Sequence, residues 1–139
     1  MSKILIKNAR LVNEGQETET DVYIENGRIA KIDQNLSQRD SNTQLIDAAG
    51  SFLLPGIIDD QVHFREPGLT HKGTIASESR AAIAGGIPSF MEMPNVDPAT
   101  TTIEALEKKF DIAAQSSFAN YSFYLGATES NLDQIKQLN

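Results

Sequence analysis

The stretch Pro55-Gly56-Ile57-Ile58-Asp59-Asp60-Gln61-Val62-His63-Phe64-Arg65-Glu66-Pro67-Gly68 opens as an apolar strand and then fills with polar side chains. Residues two apart on a strand face the same side, so Asp59, Gln61, His63 and Arg65 are expected to form one row. Such a row does not suit a packed core, because burying each group unpartnered costs about 1–3 kcal/mol, and more when charged. It calls for a cavity, a metal or an anion. Strands of a parallel α/β sheet present such rows at their C-terminal ends, where α/β barrels keep their active sites.

Downstream of Pro55-Gly56, strand and helix patterns alternate, the signature of βαβ units. The spacing predicts a strand over 57–64 and a helix over 74–84, with Ile75, Ala82 and Ile83 on one face and a Gly85-Gly86 stop. A short strand over 89–93 precedes a helix opened by Thr101, with Glu104 completing a capping box. Its apolar face is Ile103, Leu106, Phe110 and Ala113, and the charges of 104–109 read as a solvated face. A strand over 120–125 and a helix over 130–138, with Leu132, Ile135 and Leu138 inward, complete three βα units. Upstream, short strands are predicted over 3–12, 21–24, 28–32, 44–47 and 51–54. Asn26-Gly27 marks a tight hairpin turn, 33–43 reads as a polar loop, and the whole is expected to be mostly antiparallel. The organisation is therefore 1–54 as a β unit and 55–139 as the start of an α/β domain.

The chain has 139 residues, with 12 Lys+Arg against 19 Asp+Glu and a formal charge of −7. That length is short of the roughly 250 residues of a closed (β/α)8 barrel. The acidic balance argues against nucleic acid or an anionic membrane as partner. The absence of cysteine removes disulfides, thiolate metal sites and cysteine nucleophiles. No apolar run approaches a membrane span and no secretory pattern opens the chain, which reads as cytoplasmic.

The stretch from Asp59 to Gly68 resembles the metal-binding signature of the amidohydrolase superfamily, an Asp, any residue, then His-x-His at the end of the first barrel strand. The continuation Phe64-Arg65-Glu66-Pro67-Gly68 resembles the dihydroorotase branch, as does Met93-Pro94-Asn95 after the second strand. Ser79-Arg80-Ala81-Ala82-Ile83-Ala84-Gly85-Gly86 is similar to that family's first helix. The resemblance implies a TIM (β/α)8 barrel begun by three βα units and preceded by strands of a small β-sandwich. It implies metal-dependent, reversible hydrolysis of the cyclic amide of dihydroorotate to N-carbamoyl-aspartate. It also implies a zinc site of one or two ions, homo-oligomers and, in some cases, association with aspartate transcarbamoylase.

Carried over by position, the resemblance makes His63 a metal ligand, Arg65 and Asn95 contacts for the substrate carboxylate, and Asp59 an orienting acid behind the metal. Arg65 suits the task because its planar fork can grip a carboxylate bidentately. Glu66, Pro67 and Gly68 are expected to shape the loop, Asp60 to be structural, and His71 to be exposed. Gln61 stands where the family has its first metal histidine, and an amide oxygen is a weak ligand for zinc. The family's bridging carbamylated lysine, two further histidines and general-base aspartate belong to later strands. The 139 residues are therefore expected to be inactive alone and partly molten, with no catalytic residue among them. Allantoinase or hydantoinase activity, or a non-catalytic scaffold, are the alternatives. The carboxylate-gripping arginine favours dihydroorotate over allantoin, which has no carboxylate.

Overall fold

The computed structural model describes residues 2–38 and 40–138. Arg39, within the polar loop expected over 33–43, therefore lies outside the described residues. The chain forms two compact units, Met1–Pro55 and Gly56–Asn139.

In the first unit, β1 (Lys3–Asn13), β2 (Gln16–Glu25), β3 (Arg28–Asp33), β4 (Gln44–Asp47) and β5 (Phe52–Leu53) make one five-stranded sheet. Its order is β3-β2-β1-β4, with β5 also on β1. The two hairpins are antiparallel, but β4 and β5 both run parallel to β1. The sheet is thus mixed rather than mostly antiparallel. Asn26-Gly27 turns as predicted, both residues at positive φ (54° and 74°), and Glu14-Gly15 makes a second such turn (50° and 73°). That second turn carries only its glycine as a signal, so the strand over 21–24 extends back to Gln16.

A bulge between Ile6 and Ala9 bends β1, with Asn8 at φ 56°. The bend divides one edge of β1 between two partners, β4 along Ile4 to Lys7 and β5 at Arg10 and Leu11. Asp21 ties the bend down. Its carboxylate accepts from the Asn8 amide at 2.9 Å, the Leu36 amide at 2.9 Å and Lys7 Nζ at 2.7 Å. Burial opposes ionisation of Asp21, yet these donors outweigh it and hold its carboxyl below the usual range. Leu5, Ala9, Val22 and Tyr23 are the buried apolar residues of β1 and β2.

In the second unit, β6 (Ile58–Val62), α1 (Ile75–Ala84), β7 (Ser89–Glu92), α2 (Ile103–Ser116), β8 (Asn120–Phe123) and the single-turn α3 (Leu132–Ile135) alternate. The strands form a parallel sheet in the order β6-β7-β8. Its core joins Phe64, Ile75, Phe90, Leu106, Ala113, Ala119 and Phe123. Phe64 and Phe90 stack at 4.5 Å between ring centroids, and Phe123 meets Phe90 at 6.4 Å.

Three local expectations change. The α1 face is carried by Ile75 and Ser79, both fully buried, while Ile83 is exposed. Ser79 is tolerated there because its Oγ accepts from the Phe118 amide at 3.1 Å. The cap of α2 is Thr102 rather than Thr101, its hydroxyl accepting from the Ala105 amide at 3.1 Å. The helix predicted over 130–138 contracts to Leu132–Ile135, and Leu132 and Leu138, expected inward, are exposed.

Candidate active site

The site lies at the C-terminal ends of β6 and β7. Asp59 registers with Phe90 and Val62 with Glu92, so β6 spends three residues where β7 spends two. The extra residue interrupts the alternation. Past it, Val62 and Phe64 pack on the core while Gln61 and His63 are exposed on the other side. Asp59 shares its register with core-facing Phe90 and falls out of the expected row. It accepts instead from the Gln61 amide at 3.2 Å. Arg65 lies beyond the strand with φ 74°, so strand alternation does not place it either. The four-residue row reduces to Gln61 and His63.

A different geometry gathers the remainder. His63 Nδ1 lies 2.8 Å from Asn95 Oδ1, and Arg65 Nη1 donates to the Asn95 carbonyl at 3.4 Å. Asn95 is brought there because β7 continues its ladder, the Met93 amide donating to the Val62 carbonyl at 3.0 Å. Pro94 then turns the chain, its carbonyl accepting from the amides of Val96 and Thr100. With Oδ1 facing the imidazole, Nδ1 is the donor of this contact and Nε2 is not engaged by it. The same orientation leaves Asn95 Nδ2 as a donor on the other arm of the amide.

The flanking loops are latched. Glu66 Oε2 accepts from the Ile75 amide at 2.7 Å, satisfying an orphan donor at the start of α1. Gly68, at φ +82°, lies so close to Asp97 that a Cβ would stand 1.9 Å from its carbonyl oxygen. The Asp97 amide in turn donates to the Pro67 carbonyl at 3.2 Å. His71 is exposed, as expected.

Beside this cluster a hollow of about 420 Å³ is lined by Asp60, Gln61, Met93, Pro94, Tyr124 and Leu125 among others. Tyr124 donates its hydroxyl to the Asp60 carbonyl at 3.0 Å, bridging the first and third strands. Hollows at strand C-termini are where α/β sheets hold small molecules.

One feature of the site contradicts the solvated face predicted over 104–109. Lys109 is fully buried and lies 3.0 Å from Glu92 Oε2, itself fully buried. At that distance the two opposite charges form an ion pair sealed from solvent. Lys109 also donates to the Met93 carbonyl at 3.2 Å and sits 4.8 Å from the Phe123 ring centroid. Glu92 Oε1 accepts from the Arg65 amide at 2.9 Å. Burial pushes the Glu92 carboxyl up and the Lys109 ammonium down, each toward its neutral form, against their mutual attraction.

Among the described residues no group of three or more His, Asp or Glu side chains is placed to hold a metal ion. One imidazole beside a glutamine amide falls short of the three or four protein ligands of a zinc centre. Among the described residues no helix is long and apolar enough to cross a membrane.

The chain is similar to several known proteins. The chain is 38% identical over 138 residues to a dihydroorotase of Methanosarcina mazei, covering 99% of this chain and 30% of that protein. It is 33% identical over 139 residues to an L-hydantoinase of Paenarthrobacter aurescens, again covering 99% and 30%. The solved structure of L-hydantoinase (dihydropyrimidinase) from Arthrobacter aurescens matches with a TM-score of 0.92 at 33% identity, over 99% of this chain and 30% of that one. The chain thus spans about 30% of the length of these relatives, and its mixed α/β architecture is that of amidohydrolases. Residues 50–130, which run from the last strand of the first unit through the whole His63, Arg65 and Asn95 cluster, match the family described as dihydro-orotase-like, and the chain belongs to that family.

Proposed function

We propose that the protein carrying this segment is a dihydroorotase, hydrolysing the cyclic amide of (S)-dihydroorotate reversibly to N-carbamoyl-L-aspartate. In this reading residues 1–54 are the N-terminal part of a β-sandwich, and 55–139 are the first three βα units of a (β/α)8 barrel. The observation that carries the proposal is the meeting of His63 and Arg65 on Asn95 at the strand ends. An anionic ring fits there. Its carboxylate takes the Arg65 fork and the Asn95 amide, two charge-assisted contacts remote from the reacting carbonyl. Such anchoring fixes the ring for attack.

His63, held through Nδ1, would offer Nε2 as one ligand of the zinc that the family relationship supports, the other ligands coming from outside these residues. Asp59 would act from behind, through the strand backbone at Gln61. The test is turnover by the full-length protein on dihydroorotate, hydantoin and allantoin in parallel. Preferred turnover of dihydroorotate is expected, and turnover of the uncharged rings alone would overturn the reading. The likeness to L-hydantoinase favours a hydantoin-type substrate as the second reading.

A further inference from the structure

We propose that Glu92, kept in place by Lys109, is a positioning residue that sets the backbone of Arg65 and thereby aims its guanidinium. This rests on the reading of Arg65 as the carboxylate anchor. Arg65 is a non-glycine residue at φ 74°, in the left-handed region that L side chains rarely adopt. Something must hold it there. Its amide points to Glu92 Oε1 at 2.9 Å, across 27 residues of sequence and from one strand end to the next.

Glu92 has no freedom to move. It is fully buried on β7, one residue before Met93, with its other oxygen 3.0 Å from Lys109 Nζ. Lys109 reaches from α2 and also holds the Met93 carbonyl, two residues before Asn95. One buried pair thus governs both partners of the proposed carboxylate site, Arg65 through its amide and Asn95 through the strand leading to it. A buried ion pair is a poor source of stability, since its desolvation offsets its attraction. Apolar residues would fill the same space, so the acceptor at Oε1 is the feature that geometry requires.

The prediction separates acceptor from charge. In the full-length protein, Glu92→Gln retains an acceptor for the Arg65 amide, and it should keep KM for dihydroorotate within about threefold of the parent. The double variant Glu92→Ala/Lys109→Met removes the acceptor without stranding a buried charge. It should raise KM for dihydroorotate about 10- to 100-fold, the worth of a charge-assisted contact, while KM for hydantoin stays within about threefold. Hydrogen exchange at the Arg65 amide should accelerate at least about tenfold in the double variant and stay slow in Glu92→Gln.

An unchanged ratio of the two KM values in the double variant, or equal losses on both substrates, would overturn the proposal. So would loss of the dihydroorotate preference in Glu92→Gln. If the parent protein shows no preference for dihydroorotate, the substrate reading fails. The exchange rate at Arg65 then decides whether Glu92 holds that backbone, and unchanged exchange in the double variant rejects it.

Discussion

Arg65 joins a strained backbone to a side chain whose shape is its value. A lysine keeps the charge but not the planar fork, so Arg65→Lys should raise KM for dihydroorotate about tenfold or more, with a smaller effect on kcat. Steady-state kinetics on the full-length protein would show it. Gly68 obeys a harder constraint. With φ +82° and Asp97 carbonyl in the path of any Cβ, Gly68→Ala should destabilise by about 2–4 kcal/mol, measurable by denaturant unfolding. Gln61→His should increase the zinc retained per chain after dialysis, and unchanged metal content would place residue 61 away from a metal. His63, Arg65 and Asn95 were singled out in the sequence by resemblance to the family's motifs, and the structure brings the three together. Lys109 was not legible. A lysine between Lys108 and Phe110 reads as solvated until its partner is known, and Glu92 lies on another element, where no local period reveals it.

Among the elements, turn chemistry was read well where both turn residues signal it. Asn26-Gly27 set the β2–β3 hairpin, whereas Glu14-Gly15 hid the β1–β2 hairpin behind a glutamate. Thr101 with Glu104 read as the cap of α2, and local sequence does not separate it from its neighbour Thr102. Tertiary contact does, because Gln134 Oε1 accepts from the Ile103 amide at 3.0 Å and closes the turn that Thr102 begins. Thr102→Ala should therefore cost about 0.5–2 kcal/mol and Thr101→Ala less, as judged by thermal melting of the two variants side by side. The bulge in β6 was equally invisible, since an added residue leaves no mark in an alternating pattern. It is why Asp59 parts from Gln61 and His63.

For the whole molecule, the first unit should show an acid-sensitive seam. Asp21 titrates below its ordinary value of 3.8 when folded, so its contribution is present above that pH and drains away as pH falls through the folded value. Denaturation of the full-length protein followed by circular dichroism should show stability dropping below about pH 4, and Asp21→Asn should start lower and flatten that limb. Each unit also leaves large apolar side chains uncovered, among them Ile29, Phe52 and Leu54 in the first and Ile57, Ile58 and Phe118 in the second. The 139-residue polypeptide on its own should therefore bind a hydrophobic dye and lack a sharp melting transition. A cooperative monomeric melt would contradict this.

The placement of β1 carries a practical consequence. Three strands zip onto it, two of them on the single edge that its kink divides. Removing Lys3–Asn13 would delete the template itself, stranding β4 and β5 as orphan fragments and leaving β2 and β3 as a lone ribbon.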